Sequence, residues 1–411
     1  MKRPAARLPA YALFAALLAA AGLPIYIHAP KFYVDEYGVS LAALGSVLFA
    51  LRLLDVVQDP ALGWLAQRLR AQRAAAVAGA GAVMALAMLG LFAVPAPVAP
   101  VLWFALMLTL VFSSFSFLTI CFYAQGVAKA DMLPGAGHLT LARWRETGAL
   151  LGVCVASVAP LLLGLALERP FAGFAVGFAI LALWAITAMR GEWRAAGPPM
   201  ASGFGTVLRD QQARRLLLIA LVNAAPVAVT STLFLFYVEL ALDARGWEGP
   251  LLLLFFLAAA AAAPIWGMLA ERFGARQVLL FAMTLGIVAF GGALLLGPGD
   301  VVLFALVCLA SGAVLGADLT LLPAMFATRM AQIAPSAAEG FGLWSFVSKL
   351  TLAFAAAALL PALERAGLQT GAGDSSDTSI SLLIWFGAGV PCALKCLAIA
   401  LLASTNDVEK L

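Results

Sequence analysis

Apolar residues dominate this chain in long stretches, broken by short clusters of proline, glycine and charge. A helix needs about 20 such residues to cross ~30 Å of hydrocarbon. Twelve stretches meet that need, near residues 9–30, 41–66, 74–94, 99–127, 138–166, 170–190, 213–241, 250–270, 276–297, 301–328, 338–364 and 380–403. The pattern predicts an all-α polytopic membrane protein, with a lipid bilayer as its solvent and little chain left for a water-soluble domain. Composition strengthens this: 64% of the 411 residues are hydrophobic, 11% are charged and the mean hydropathy is +1.01, whereas soluble domains are about half apolar.

Charge gives the orientation. Assigning alternate loops to opposite sides places sixteen Lys and Arg with the two termini and four, Lys31, Arg169, Arg245 and Arg365, opposite them. The positive-inside rule then puts both termini and the long loop 191–212 in the cytoplasm, as in a bacterial inner membrane. Lys2, Arg3 and Arg7 before an Ala/Leu run resemble a signal peptide. They are read as part of a retained first helix, because cleavage would break the even set of spans. A net charge of +4 is too small and too scattered for nucleic acid. The five cysteines lie in apolar runs and behave as soft core residues. With His28 and His138 as the only histidines, no metal site and no cofactor is expected.

The loop at 191–212 divides the spans six and six, predicting an N-terminal six-helix bundle over 1–190 that holds the cation site and a C-terminal bundle over 213–411. An internal repeat supports two copies of one bundle. Pro60, Gly63, Leu65, Ala66, Arg68 and Ala71 coincide at an offset of 204 residues with Pro264, Gly267, Leu269, Ala270, Arg272 and Ala275. Yet Arg52, Asp55 and Asp59 shift onto Phe256, Ala259 and Ala263. One copy carries charge where the other carries packing.

A charge at mid-bilayer costs about 2.5–3.5 kcal/mol even on the lenient insertion scale, so each one inside a span needs a reason. Arg52, Asp55 and Asp59 share one helix face, the two carboxylates ~6 Å apart along it. Two acids so close in low dielectric cannot both stay ionised unless a cation sits between them. Oxygen-rich acidic clusters suit hard cations, here monovalent Na⁺ or Li⁺, and protonation of one acid gives H⁺ coupling at the same place. The alternative is that Arg52 neutralises Asp55 in a fixed pair, which leaves Asp59 without that partner. Lys349, deep in the eleventh span, either pairs with a carboxylate or contacts substrate. Arg145, with Trp144 as a stacking face beside it, is the cavity candidate of the fifth span. Asn223 and Asp318 are expected as gating or helix-bridging groups, with Arg52 in the same coupling set. Tyr26, between Pro24 and His28 on a stretch that Pro24 and Pro30 would kink, can face a cavity. Lys395 is left unassigned, because the twelfth helix is expected to face lipid.

The stretch Gly38-Val-Ser40, Arg52-Leu-Leu-Asp55, Asp59-Pro60 and Gly63-Trp64 resembles the signature of the glycoside–pentoside–hexuronide:cation symporters, the melibiose-permease branch of the major facilitator superfamily. The resemblance continues through Asn223, Leu235-Phe-Tyr-Val238, Gly316-Ala-Asp-Leu and Phe341-Gly-Leu-Trp344 to Lys349. It implies the twelve-helix fold of that superfamily, a cation site at Asp55 and Asp59, and Lys349 near both cation and substrate. It also implies a substrate arginine at Arg145, seven residues before Gly152, and a substrate-facing Tyr26, with Trp144 and Trp344 completing the substrate set. Where sugar-binding relatives carry a Lys-Asp pair on the first helix this chain has Leu18-Ala19. Their fourth-helix aspartate falls near Thr119, which can add a hydroxyl oxygen to the cation site. Losing those acids favours a weakly anionic solute over a neutral sugar.

The expectation is therefore a monomeric symporter that couples Na⁺ or H⁺ to a small organic solute, such as a glycoside or uronate, by alternating access. An amphipathic, lipid-like solute such as a lysophospholipid is the alternative. No nucleophile–base pair or phosphate-cradling loop points to an enzyme.

Overall fold

The computed structural model describes residues 7–130, 133, 137–193, 204–333, 337–365 and 377–404. Among them the chain is helical without strands, and nine stretches are long and apolar enough to cross a membrane by length and composition. The architecture is all-α and polytopic, as the hydrophobic pattern predicts.

The first span is two helices, α1 (Leu8–Ala20) and α2 (Leu23–Tyr37). The break falls at Ala21 and Gly22, whose N–H groups donate to carbonyls of the preceding turn. Pro24 occupies the first turn of α2, where its missing N–H costs nothing. Pro24 therefore starts a helix here, and only Pro30 lies inside one. Gly38, at φ 64°, closes α2 in the left-handed conformation that glycine adopts without strain.

Next come α3 (Leu41–Arg68), α4 (Arg73–Phe92), α5 (Pro100–Ala130), α6 (Gly137–Leu163) and α7 (Pro170–Met189). Within the predicted loop 191–212 the described part holds α8 (Phe204–Arg209), then Asp210, whose carboxylate accepts from the Ala213 N–H to cap α9 (Gln211–Phe236). The remaining helices are α10 (Glu248–Phe273), α11 (Ala275–Ala293), α12 (Val301–Ile333), α13 (Ala338–Arg365), α14 (Asp377–Ile384) and α15 (Val390–Ala403). A π-turn follows α9 at Tyr237–Ala241, and another joins α14 to α15 at Trp385–Gly389.

The chain divides into two compact units, Met1–Arg209 with Ala327–Phe346 and Asp210–Phe326 with Val347–Leu411. Each is held by close helix contacts at small residues, since packing rather than water expulsion binds helices within lipid. In the first unit Gly148 and Gly152 of α6 meet Ala12 and Ala16 of α1 so closely that an added Cβ would lie 2.2 and 2.5 Å from their carbonyl oxygens. In the second, Gly312 and Gly316 of α12 meet Phe255 and Ala259 of α10, with corresponding distances of 2.2 and 2.6 Å.

The repeat has local structural counterparts. Pro60 lies inside α3 and Pro264 inside α10, and Arg68 and Arg272 fall in the last turns of those helices. Arg68 lies over the Trp64 ring at 3.9 Å and Arg272 over the Phe273 ring at 5.3 Å.

Candidate functional site

In the first unit, α3 turns Asp55 and Asp59 inward, 6% and 0% exposed. Asp55 Oδ1 accepts a 2.8 Å hydrogen bond from the Gln58 amide. The Gln58 carbonyl in turn accepts from Ser113 of α5 at 2.8 Å. This relay fixes the Asp55 carboxylate against α5, so that one turn of α3 and one turn of α5 form a shared polar layer. Neither Gln58 nor Ser113 stands out in the sequence, because uncharged polar residues are common in membrane helices. The spacing of Gln58, three residues from Asp55, is a local signal, whereas Ser113, 55 residues from Gln58, gives none.

Thr119 lies six residues beyond Ser113, ~9 Å further along α5, and its buried hydroxyl has no hydrogen-bond partner among the described residues. No hydrogen bond joins that hydroxyl to Asp55 or Asp59 among the described residues. The side chains of Arg52 and Tyr26 lie outside the described residues.

A second buried cluster of this unit centres on Arg145. Its Nε donates to Glu146 Oε1 at 2.6 Å, and the same oxygen accepts from the Tyr123 hydroxyl at 3.1 Å. The Arg145 guanidinium stands 3.8 Å over the Tyr123 ring, and Tyr123 packs on Phe341 at a centroid distance of 5.1 Å. The aromatic face beneath Arg145 is therefore Tyr123, not Trp144. Adjacent residues point to different sides of a helix, and Trp144 is exposed. Arg145 Nη2 has no hydrogen-bond partner among the described residues. Close by in chain order, Gly342 of α13 sits so near α3 that a Cβ there would lie 3.0 Å from the Asp59 carbonyl oxygen. Trp344, two residues on, is half-buried in the same unit, and Lys349 belongs to the second unit.

The second unit gathers Asn223, Asp318 and Lys395. The Lys395 ammonium donates to Asp318 Oδ2 at 2.5 Å and to Asn223 Oδ1 at 2.7 Å. Lys395 is 1% exposed, which corrects the expectation that its helix would turn it toward lipid. Residues 77 and 172 positions away hold it, a separation that hydrophobic periodicity cannot reveal. Asp318 and Asn223, expected to bridge or gate, here bridge α12, α9 and α15.

Comparison with known proteins matches residues 9–406 to the family described as MFS/sugar transport protein. Among solved structures the chain is similar to a bacterial homologue of the iron transporter ferroportin in the outward-facing state. The identity is 15%, with 97% of this chain and 99% of that one covered at a TM-score of 0.70. A structure of such a homologue with soaked iron gives 16% identity, the same coverage and a TM-score of 0.67. At these identities the likeness is one of fold. No curated protein matches the chain in sequence.

Proposed function

The chain belongs to the major facilitator superfamily, in the family described as MFS/sugar transport protein, and from that premise we propose that this membrane transporter is a symporter coupling Na⁺ or H⁺ to uptake of a weakly anionic organic solute. It is a transporter and not an enzyme. The melibiose-permease-like branch is the finer assignment favoured here, on the Arg52, Asp55 and Asp59-Pro60 pattern of α3. A bacterial inner membrane with both termini cytoplasmic is favoured by the basic-residue asymmetry.

One observation carries the reading: Asp55 and Asp59 are both buried, one helical turn apart, in the same helix. At ~6 Å and an effective dielectric of about 20, two ionised carboxylates repel by about 3 kcal/mol. A monovalent cation between them removes that repulsion, and a proton on one of them does the same. Cation binding therefore changes the energy of this layer by enough to shift a two-state equilibrium about a hundredfold. The Gln58–Ser113 relay, which holds the Asp55 carboxylate against α5, supports that reading. Alternating access then links solute binding to the loaded cation site.

Arg145, which keeps an unused Nη2 donor beside its bond to Glu146, favours a carboxylate-bearing solute such as a uronate over a neutral glycoside. An organic cargo is favoured over a transition metal because no group of three His, Cys, Asp or Glu side chains able to hold a metal ion occurs among the described residues.

Uptake of a labelled panel of glycosides, uronates and lysophospholipids into vesicles, with Na⁺ and H⁺ gradients imposed in turn, tests the proposal. Accumulation of a uronate above equilibrium that disappears in Asp55→Asn and Asp59→Asn is the expected result. Unchanged cation-driven accumulation in both variants overturns the cation site. Accumulation of lysophospholipid alone overturns the solute class.

A further inference from the structure

We propose that Asp318 and Asn223 form a second monovalent-cation site, in the C-terminal unit, and that the Lys395 ammonium is its built-in cation.

The ligand atoms are oxygens, the type that hard cations take, with water able to supply the remainder. Two oxygens, Asp318 Oδ2 and Asn223 Oδ1, face one positive centre at 2.5 and 2.7 Å. These are short, charge-assisted hydrogen bonds, so both oxygens are committed to a positive charge. A third oxygen, Asp318 Oδ1, is buried and has no hydrogen-bond partner among the described residues, although the residue is 8% exposed. The cage thus has more acceptor capacity than the ammonium uses.

The site is also deep. Asp318 stands about 25 Å from the start of α12 and about 22 Å from its end, and Asn223 is near the middle of α9. An ammonium at that depth cannot snorkel to the headgroups. The surroundings fit a lysine delivered from α15. An added Cβ at Gly286 of α11 would lie 3.7 Å from Lys395 Cε and 3.1 Å from Val314 Cγ1, so glycine leaves the lane through which the stem passes. On the next turn of α15, Cys392 donates to the Ile287 carbonyl at 3.5 Å, anchoring α15 beside that lane.

An ion pair of this kind does not need to be there for stability alone, because apolar groups of similar volume usually pack as well or better. A carboxylate–amide cage filled by a tethered cation keeps the shape of an ion site while making it independent of the ions in solution. The proposal stands apart from the Asp55/Asp59 reading, and a dependence on Asp318 separates the two experimentally.

The test is thermal unfolding of the full-length protein in NaCl, LiCl and choline chloride at equal ionic strength. Four forms are compared: wild type, Lys395→Ala, Asp318→Asn and the double variant. Lys395→Ala should gain a saturable rise in midpoint of roughly 5 °C in Na⁺ or Li⁺ over choline, beyond any rise in wild type. The double variant should lose that gain. Lys395→Ala responding to neither ion overturns the proposal, as does an equal response when Asp318 is replaced. Lys395→Gln serves where the alanine variant does not fold. Failure of both to fold in all three salts also overturns it, since a cage shaped for a cation would be filled by the added ion.

Discussion

The same stretch of the repeat does opposite things in α3 and α10. Asp55 and Asp59 of α3 correspond to Ala259 and Ala263 of α10, and all four are buried. On α10 the alanines lie flush against α12, where a Cβ at Gly316 would come within 2.6 Å of the Ala259 carbonyl and 3.2 Å of the Ala263 nitrogen. On α3 the aspartates sit beside Gln58 and Ser113 in a polar layer. One copy packs a close helix contact, and the other holds a polar layer. The second unit moves its charge elsewhere and balances it internally through Lys395, whereas the first places two like charges on one turn. A buried charge must be compensated, and in the proposed reading the compensation at Asp55 and Asp59 includes a cation drawn from solution.

Neutralising the acids breaks the contrast most completely. Asp55→Asn or Asp59→Asn should reduce cation-driven accumulation to simple equilibration, read as the internal-to-external solute ratio in energised vesicles, while expression is kept. Lys395→Ala comes next. Removing one member of a buried pair strands the other and typically costs about 3–5 kcal/mol, whereas Lys395→Met with Asp318→Leu should stay within about 1 kcal/mol of wild type. Unfolding midpoints in choline chloride check both.

Packing gives the third comparison, and it should treat the units alike. Gly148→Val and Gly312→Val each drive a side chain into a facing carbonyl and should cost about 1–3 kcal/mol. Gly79→Ala and Gly177→Ala, with nothing within 4 Å of the added carbon, should be neutral or slightly stabilising by the same measurement. The smallest effect on transport is expected at the relay. Gln58→Leu or Ser113→Ala should weaken apparent cation affinity about tenfold without abolishing coupling, since such residues orient a ligand and do not supply it. Cation titrations of initial uptake rate would show it.

How much of this is legible in the sequence depends on the range of each interaction. The twelve apolar runs and the shared face of Asp55 and Asp59 follow from local periodicity, and charges inside such runs stand out because lipid penalises them. The repeat is legible because Pro60 and Pro264 keep the same place in their helices. The break in the first span is not, since Pro24 looks alike whether it kinks a helix or starts one. The ring under Arg145 is also hidden: Trp144 is adjacent in the chain, but Tyr123 of α5 is adjacent in space. The Lys395 cluster joins three helices across long separations, so no window of sequence contains it.

In the proposed mechanism the buried acids of α3 are where a cation couples to solute movement. Its most direct test is the steady-state accumulation of a labelled uronate by vesicles carrying wild type or Asp59→Asn under an imposed Na⁺ or H⁺ gradient. The account predicts accumulation above equilibrium in wild type and equilibration alone in the variant, with solute exchange retained. Accumulation by Asp59→Asn equal to wild type under both gradients would contradict it.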